Sequence, residues 1–391
     1  MHGSLKQRYK GSWSIILDLG YEPHPVTGTL RRRQKWITAR GTRKKAEKTL
    51  NDLLHAANHG MFVEPSKMTL GTWLTEWVDA IKPRVRASTY VRYKGIIDNT
   101  IRKAPVSNIL LQRLRGSQIE NYYANASVSA ATLTLHHAIL HRALRKAVKD
   151  GLVATNAAAD LDGKPRRERA PEDARQHAWT AAEANGFLKV AKTAGTQPAA
   201  FYALALDSGA RKGELGGLRW SEVDLDSNKI RIVQQLLKPG PNPTFGPTKT
   251  GKARTITLGS ETVDLLRTHK KEQAELKMRN RTVYHDFGLV FAKEWVDVRK
   301  RKETLGQPLQ LNNLGQRQYA KLIAQAGVRK IKFHGLRHTC ATLLLQAGQP
   351  VHVVAQRLGH SKVEMTLNIY AHVLPDMQQD AAAKLGAMLH G

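Results

Sequence analysis

Two periods of hydrophobicity alternate along the chain. Ser12 to Leu19 and Thr29 to Thr38 read as strands joined by a turn-rich link (GYEPHPVTG). A helix follows, with Thr42 as its cap, Ala46, Leu50, Leu53, Leu54 and Ala57 at helical spacing, and Gly60 as its stop. From about residue 68 to 161 the pattern is helical throughout. Leu70, Trp73, Leu74, Trp77, Val78 and Ile81 make one apolar stripe, further helices start near Ser88, Arg115 and Ser129, and Gly151 ends the last. Between Asp162 and Trp179 the rhythm lapses into prolines and mixed charge (GKPRRERAPEDARQ), as in an exposed linker. Thr180 with Glu183 then makes a capping box for a new helix. Two strand runs, Lys229 to Leu237 and Ala253 to Leu258, flank a Gly/Pro/Thr-rich loop and predict a hairpin. The pattern predicts a multidomain α+β chain. A small sheet plus helix occupies 1–61, an all-α unit 66–163, a linker 164–178, and a mixed, mainly α unit with a small antiparallel sheet 179–391.

Composition points to a partner. The 391 residues include 41% hydrophobic ones, enough for two or three cores. The formal charge of +30, from 62 Lys and Arg against 32 Asp and Glu, makes nucleic acid the leading partner, but a ribosomal or membrane-surface protein could be equally basic, so charge alone does not separate these readings. No stretch approaches the apolar length of a membrane span, and the opening residues (MHGSLKQRYK) lack the apolar core of a secretory signal, so a cytoplasmic protein with no membrane partner is expected. The single cysteine, Cys340, excludes an intramolecular disulfide and reads as a buried residue of a helix.

Basic residues concentrate in two places. Arg31, Arg32, Arg33 and Lys35 lie on one predicted strand, and Arg43, Lys44, Lys45 and Lys48 on the helix after it. That density in so short a span favours DNA contact over a merely solvated face. Along the last helix of the all-α unit, His137, His141, Arg142, Arg145 and Lys146 line one side. His137 and His141 are a helical turn apart, but no third ligand lies nearby, so a phosphate-facing edge is preferred and no metal site is predicted.

Candidate chemistry lies in four separated clusters of the C-terminal part. They are Ser208-Gly-Ala-Arg211-Lys-Gly-Glu214-Leu215, Thr248-Lys249-Thr-Gly, His334-Gly-Leu-Arg337-His338-Thr, and Leu358-Gly-His360-Ser361 with Tyr370 ten residues after His360. Phosphodiester transfer needs a nucleophile, cationic donors for the non-bridging oxygens and an acid for the leaving oxygen. Arg211 and Arg337 suit the second role because a guanidinium keeps its charge and offers phosphate a planar fork. Tyr370 is the candidate nucleophile, His334 the candidate base, His360 a hydrogen-bonding partner for the phosphate, and Lys249 the candidate general acid. No carboxylate cluster suggests a two-metal site. Gly246 to Lys252 (GPTKTGK) imitates a nucleotide-binding loop, but Ala253 stands where Ser or Thr is required and a strand run follows where a helix should.

Together the clusters resemble the tyrosine recombinases. Leu218, Trp220, Arg254-Thr-Ile, Cys340-Ala-Thr-Leu and Ile369-Tyr370-Ala-His-Val extend the match around them. Upstream, KPRVRASTYVRY and AILHRALRKAVKDGLVATNAA resemble the core-binding domain of phage-type integrases. Trp13, Asp18, Thr27-Gly28, the arginine run and RKKAEKTL resemble an arm-type DNA-binding domain, a three-stranded sheet plus helix. The resemblance implies a site-specific integrase of a mobile element or prophage, working through a 3′-phosphotyrosyl intermediate and a Holliday junction. It makes Arg211, Lys249, His334, Arg337, His360 and Tyr370 the active site, with Glu214 buttressing an arginine, and implies no metal or ATP. It also implies a homotetramer on core and arm attachment sites, with an excisionase and a DNA-bending host protein as accessories. Ser208, where many members have Thr, and Thr257, where Pro is common, depart from the pattern without removing a charge. After Pro375, a weak stripe through Met377, Ala381, Leu385 and Met388 predicts a helix docking on a neighbouring subunit or on its own domain. A non-catalytic, sequence-specific DNA-binding regulator on the same scaffold is the alternative.

Overall fold

The computed structural model describes residues 2–24, 28–58, 63, 65–165, 177–294, 304–364, 366–367, 382–383 and 385–390, with backbone alone for eight of these, Arg33 among them. Tyr370, Met377, Ala381, Thr27, Gly60 and linker residues 166–176 lie outside the described residues. Contacts divide the chain into two compact units, Met1–Ala170 and Pro171–Gly391, with the boundary inside the stretch where the apolar rhythm lapses. Among the described residues no helix is long and apolar enough to cross a membrane.

The first unit opens with strands β1 (His2–Tyr9), β2 (Ser12–Pro23) and β3 (Leu30–Arg40), paired antiparallel in that order. β1 escapes the period-2 pattern because its polar residues (KQRY) present no apolar face. Helix α1 (Arg43–Asn58) lies on the sheet, with Leu50 and Leu54 against Gly3 of β1. Ile15, Leu17 and Ala46 are buried there. Arg31 and Arg32 of β3 and Arg43, Lys44 and Lys45 of α1 are exposed, and Lys35 is half-buried. Arg32 pairs with Asp18 at 2.6 Å and Arg43 with Glu47 at 2.8 Å.

The rest of this unit is helical. Helix α2 (Leu70–Ala80) is capped by Thr69, whose hydroxyl accepts from the Thr72 N–H, and buries Leu70, Trp73, Leu74, Trp77 and Val78. Helices α3 (Ala87–Asn99), α4 (Gly116–Asn125) and α5 (Ala130–Lys149) complete it, and Ser129 caps α5. The Trp73 indole donates to the Ala143 carbonyl at 3.0 Å, fastening α2 to α5. Arg142 and Arg145 are exposed on α5 while His137 and His141 are half-buried. His137 Nδ1 is 3.0 Å from the Tyr123 hydroxyl, so one ring nitrogen of this residue is engaged inside the unit.

In the second unit, α6 (Ala181–Thr193) starts with the expected capping box, the Glu183 carboxylate accepting from the Thr180 N–H at 2.8 Å. Helix α7 (Thr196–Ser208) is apolar on nearly every side, which is how a central helix reads, and α6 packs beside it. Short α8 (Lys212–Gly217) precedes strands β4 (Val223–Asp224), β5 (Lys229–Ile232), β6 (Gln234–Lys238), β7 (Thr244–Pro247) and β8 (Arg254–Thr257). The expected hairpin is present in two storeys: β5 pairs with β8, and β6 pairs with β7. The loop therefore contributes a strand of its own, hidden from the periodic pattern by Gly246 and Pro247. Helices α9 (Ser260–Arg279), α10 (Leu311–Asn313), α11 (Tyr319–Ala326), α12 (Gly335–Gln346) and α13 (Val351–Leu358) close the unit. Trp179, Phe187, Phe201, Tyr202, Phe291 and Tyr319 fill the core around α7.

Candidate active site

The site starts where the central helix stops. Gly209 takes a left-handed conformation (φ 59°) and ends α7, which throws the chain out so that Arg211 stands at the entrance of α8. Glu214, three residues on, is buried with its side chain fully covered. Its Oε2 accepts the Arg211 backbone N–H at 2.9 Å and its Oε1 accepts the Arg211 guanidinium at 2.9 Å. The pair is thus an interior clamp that aims the guanidinium, not the surface ion pair that such spacing usually gives.

Arg337 reaches the same turn from the first turn of α12. Its Nη1 donates to the Gly209 carbonyl at 2.9 Å, and the residue is only 4% exposed. His334, three residues earlier, stands just ahead of α12. Lys249 sits exposed in the turn after β7, where the Gly251 N–H donates to the Thr248 carbonyl at 3.0 Å and Gly251 has φ 74°. A residue with a Cβ would resist that backbone, so Gly251 shapes the lysine turn. His360 follows the end of α13, and its Nδ1 is 2.7 Å from the hydroxyl of buried Thr366. The Gly359 carbonyl before it accepts from Arg211 at 3.4 Å.

The electrostatics record this convergence. Loss of water, then Arg337, Arg211 and Lys249 in that order, hold the His334 imidazole below its ordinary range. His360 is pushed down to about 4 by burial, then Arg337, Arg211, His334 and His338. Each is therefore neutral at pH 7 beside permanent cations, which leaves an imidazole nitrogen able to accept a proton. Cys340 is buried with its thiol raised to about 11, chiefly by burial, so it stays a protonated core residue.

Five of the six residues read from the sequence thus come to one place, and Tyr370 lies outside the described residues. The sequence reading missed the framework beneath them. Arg254 of β8 donates to Glu214 at 2.7 Å, and Arg357 of α13 donates to Asp207 at 2.6 Å and to the Thr257 carbonyl at 2.9 Å. Arg254 stands in a matched motif, but only burial distinguishes it from the many solvated arginines. Among the described residues no group of three or more acidic, His or Cys side chains is arranged to hold a metal.

Comparison with known proteins agrees with this architecture. Residues 178–377 match the model of the phage integrase family, and residues 69–125 match the SAM-like N-terminal domain of phage integrases. A XerC-like tyrosine recombinase of Caldanaerobacter subterraneus is 28% identical across 94% of this chain and 96% of its own length. The prophage integrase IntR of Escherichia coli is 25% identical over 82% of this chain and 80% of its own. Among solved structures, the Tn1549 transposon integrase in complex with a circular intermediate DNA superposes with a TM-score of 0.66 at 18% identity, covering 81% of this chain and 99% of that one. A lambda integrase from a tetramer bound to a Holliday junction gives 0.56 at 19% identity over 93% and 94%. By its fold, its matched residues and its full-length relatives, the chain belongs to the phage integrase family, the tyrosine recombinases that break and rejoin DNA strands.

Proposed function

We propose that Tyr370 is the nucleophile and that Arg211, Lys249, His334, Arg337 and His360 surround the phosphate it attacks. The observation that carries this is the convergence on the Gly209–Arg211 turn of two guanidinium groups from different helices, with Lys249 and both histidines within electrostatic range. The phenolic oxygen bonds to phosphorus while the bond to the 5′ oxygen breaks. His334 takes the phenol proton, Lys249 gives one to the leaving oxygen, and the arginines hold the two non-bridging oxygens as charge builds there. A phosphodiester becomes a phosphotyrosyl ester, so its bond energy is kept and rejoining needs neither ATP nor a metal.

The covalent chain supports this placement. Tyr370 is four positions after Thr366, which is hydrogen-bonded to His360, a span of at most about 14 Å. On the same reading, the exposed arginines and lysines of β3 and α1 hold arm DNA, and Arg142 and Arg145 hold the core site. The Arg32 and Arg43 ion pairs are exposed surface pairs, weak enough for a DNA phosphate to displace. The chain acts as a tetramer on paired duplexes, as the lambda integrase does on its Holliday junction.

The test is a duplex made from the element and chromosome junction beside this coding region, nicked so that the cleaved strand diffuses away. Wild type should accumulate a denaturation-resistant adduct and Tyr370→Phe none. Equal adduct with Tyr370→Phe removes Tyr370 as nucleophile, and no adduct with either protein favours a non-catalytic DNA-binding regulator.

A further inference from the structure

Buried charge in the second unit concentrates at Glu214, whose covered carboxylate lies between two guanidinium groups. One belongs to Arg211. The other belongs to Arg254, which the chemistry above does not use. Arg254 opens β8, five residues after Lys249, and its side chain is 7% exposed. Its Nη2 donates to Glu214 Oε2 at 2.7 Å and its Nε donates to the Arg357 carbonyl at 2.9 Å. Its guanidinium also presses on Gly359, where an added Cβ would stand 2.9 Å from Nη1. That glycine precedes His360, and its carbonyl accepts from Arg211.

One residue of the strand that follows the lysine turn therefore touches, through its side chain, the carboxylate that aims Arg211 and the backbone that carries His360. We infer that Arg254 is a positioning residue for strand cleavage, a buried tie that sets the Arg211 guanidinium, the lysine hairpin and His360 in one geometry. This rests on the phosphate-binding reading of those three residues. Arg254 itself is too enclosed to be a DNA contact.

The physical reason is the cost of burying a carboxylate. An interior ion stripped of a partner is left unneutralised, and the group responds by taking up a proton. Burial drives the Glu214 carboxyl up, while Arg254 first and then Arg211 pull it down, with a net result below the usual range. Without Arg254 the burial effect prevails and Glu214 protonates as pH falls. A neutral Glu214 no longer fixes the charged Arg211.

The experiment uses full-length protein on the same nicked duplex, with Arg254→Met, Arg254→Lys, Glu214→Gln and the double variant Glu214→Gln/Arg254→Met. Arg254→Met should bind DNA within about twofold of wild type, with the same salt dependence, because no phosphate contact is lost. Its single-turnover cleavage at saturating DNA should fall by about 10²-fold, the scale of one misplaced charge donor. That loss should lessen as pH rises from 6 to 8.5, while Arg254→Lys, which keeps the charge, should be intermediate. The double variant should cleave no more slowly than Glu214→Gln alone.

Three results overturn the proposal. A weakened Kd with a smaller salt slope makes Arg254 a DNA contact. A lowered melting temperature with unchanged, pH-independent cleavage by Arg254→Lys makes it only structural. Multiplicative losses in the double variant show that it does not act through Glu214. Arg211→Ala that cleaves like wild type removes instead the reading beneath the proposal, whatever Arg254 does.

Discussion

Arg211 and Arg337 hold their charge at any working pH, but the interior carboxylate and the Gly209 carbonyl give each a direction. Lys249 differs, being exposed in a turn. If it is the general acid, Lys249→Ala should cleave an ordinary phosphodiester about 10²–10⁴-fold more slowly. A substrate with sulfur in place of the bridging 5′ oxygen leaves without needing a proton, and it should be cleaved by Lys249→Ala nearly as fast as by wild type. Comparable loss on both substrates in single-turnover assays would show that Lys249 serves another purpose. Arg211, Lys249, His334, Arg337 and His360, which the structure gathers, were legible in the sequence because their types are rare in combination and their clusters stand in a characteristic order. Arg254, Arg357 and Asp207 were not, because the sequence shows a charge but not whether water reaches it.

Among elements, the junctions between helices matter more than the helices themselves. α7 ends at Gly209 and α13 ends at Gly359, both left-handed, and the turns after them deliver Arg211 and His360. Gly359 carries a second constraint, since a Cβ there would meet Arg254 at 2.9 Å, whereas Gly327 after α11 has φ 62° and nothing within 4 Å. Gly327→Ala should therefore cost about 1–2 kcal/mol of stability from the backbone alone and leave cleavage by the folded protein intact. Gly359→Ala should cost at least as much and also slow cleavage about tenfold or more, because a displaced Arg254 shifts Glu214 and Arg211. Melting and single-turnover cleavage on both variants check this; equal cleavage rates for the two would mean that the Gly359 contact does not matter. The helix start at Thr180 followed from its capping box, since a cap is a local signal. The periodic pattern showed neither β1 nor the two-storey hairpin, because a polar edge strand and a Gly/Pro strand carry no apolar alternation and are held by pairing with the neighbouring strand.

At the scale of the whole molecule, the basic excess is spread over both units. Exposed arginines and lysines stand on the sheet and α1, along α5 and on the second unit, where Arg231, Arg267 and Arg279 are open to solvent, while Arg254 and Arg337 are enclosed. On the proposed roles, DNA affinity through the exposed cations should fall with salt, while the enclosed Arg254 and Arg337 should be screened much less. The family, with its breaking and rejoining of DNA, follows from the whole chain, whereas the bond made during cleavage is a statement about one oxygen. The most direct measurement is to trap wild-type protein on the nicked duplex, digest DNA and protein, and locate the nucleotide remnant by mass spectrometry. Cleavage after Lys362 and Lys384 releases a peptide in which Tyr370 is the sole tyrosine. The account predicts a 3′-linked nucleotide on Tyr370 and on no other side chain; a remnant on a serine, on another tyrosine or on a histidine would contradict it.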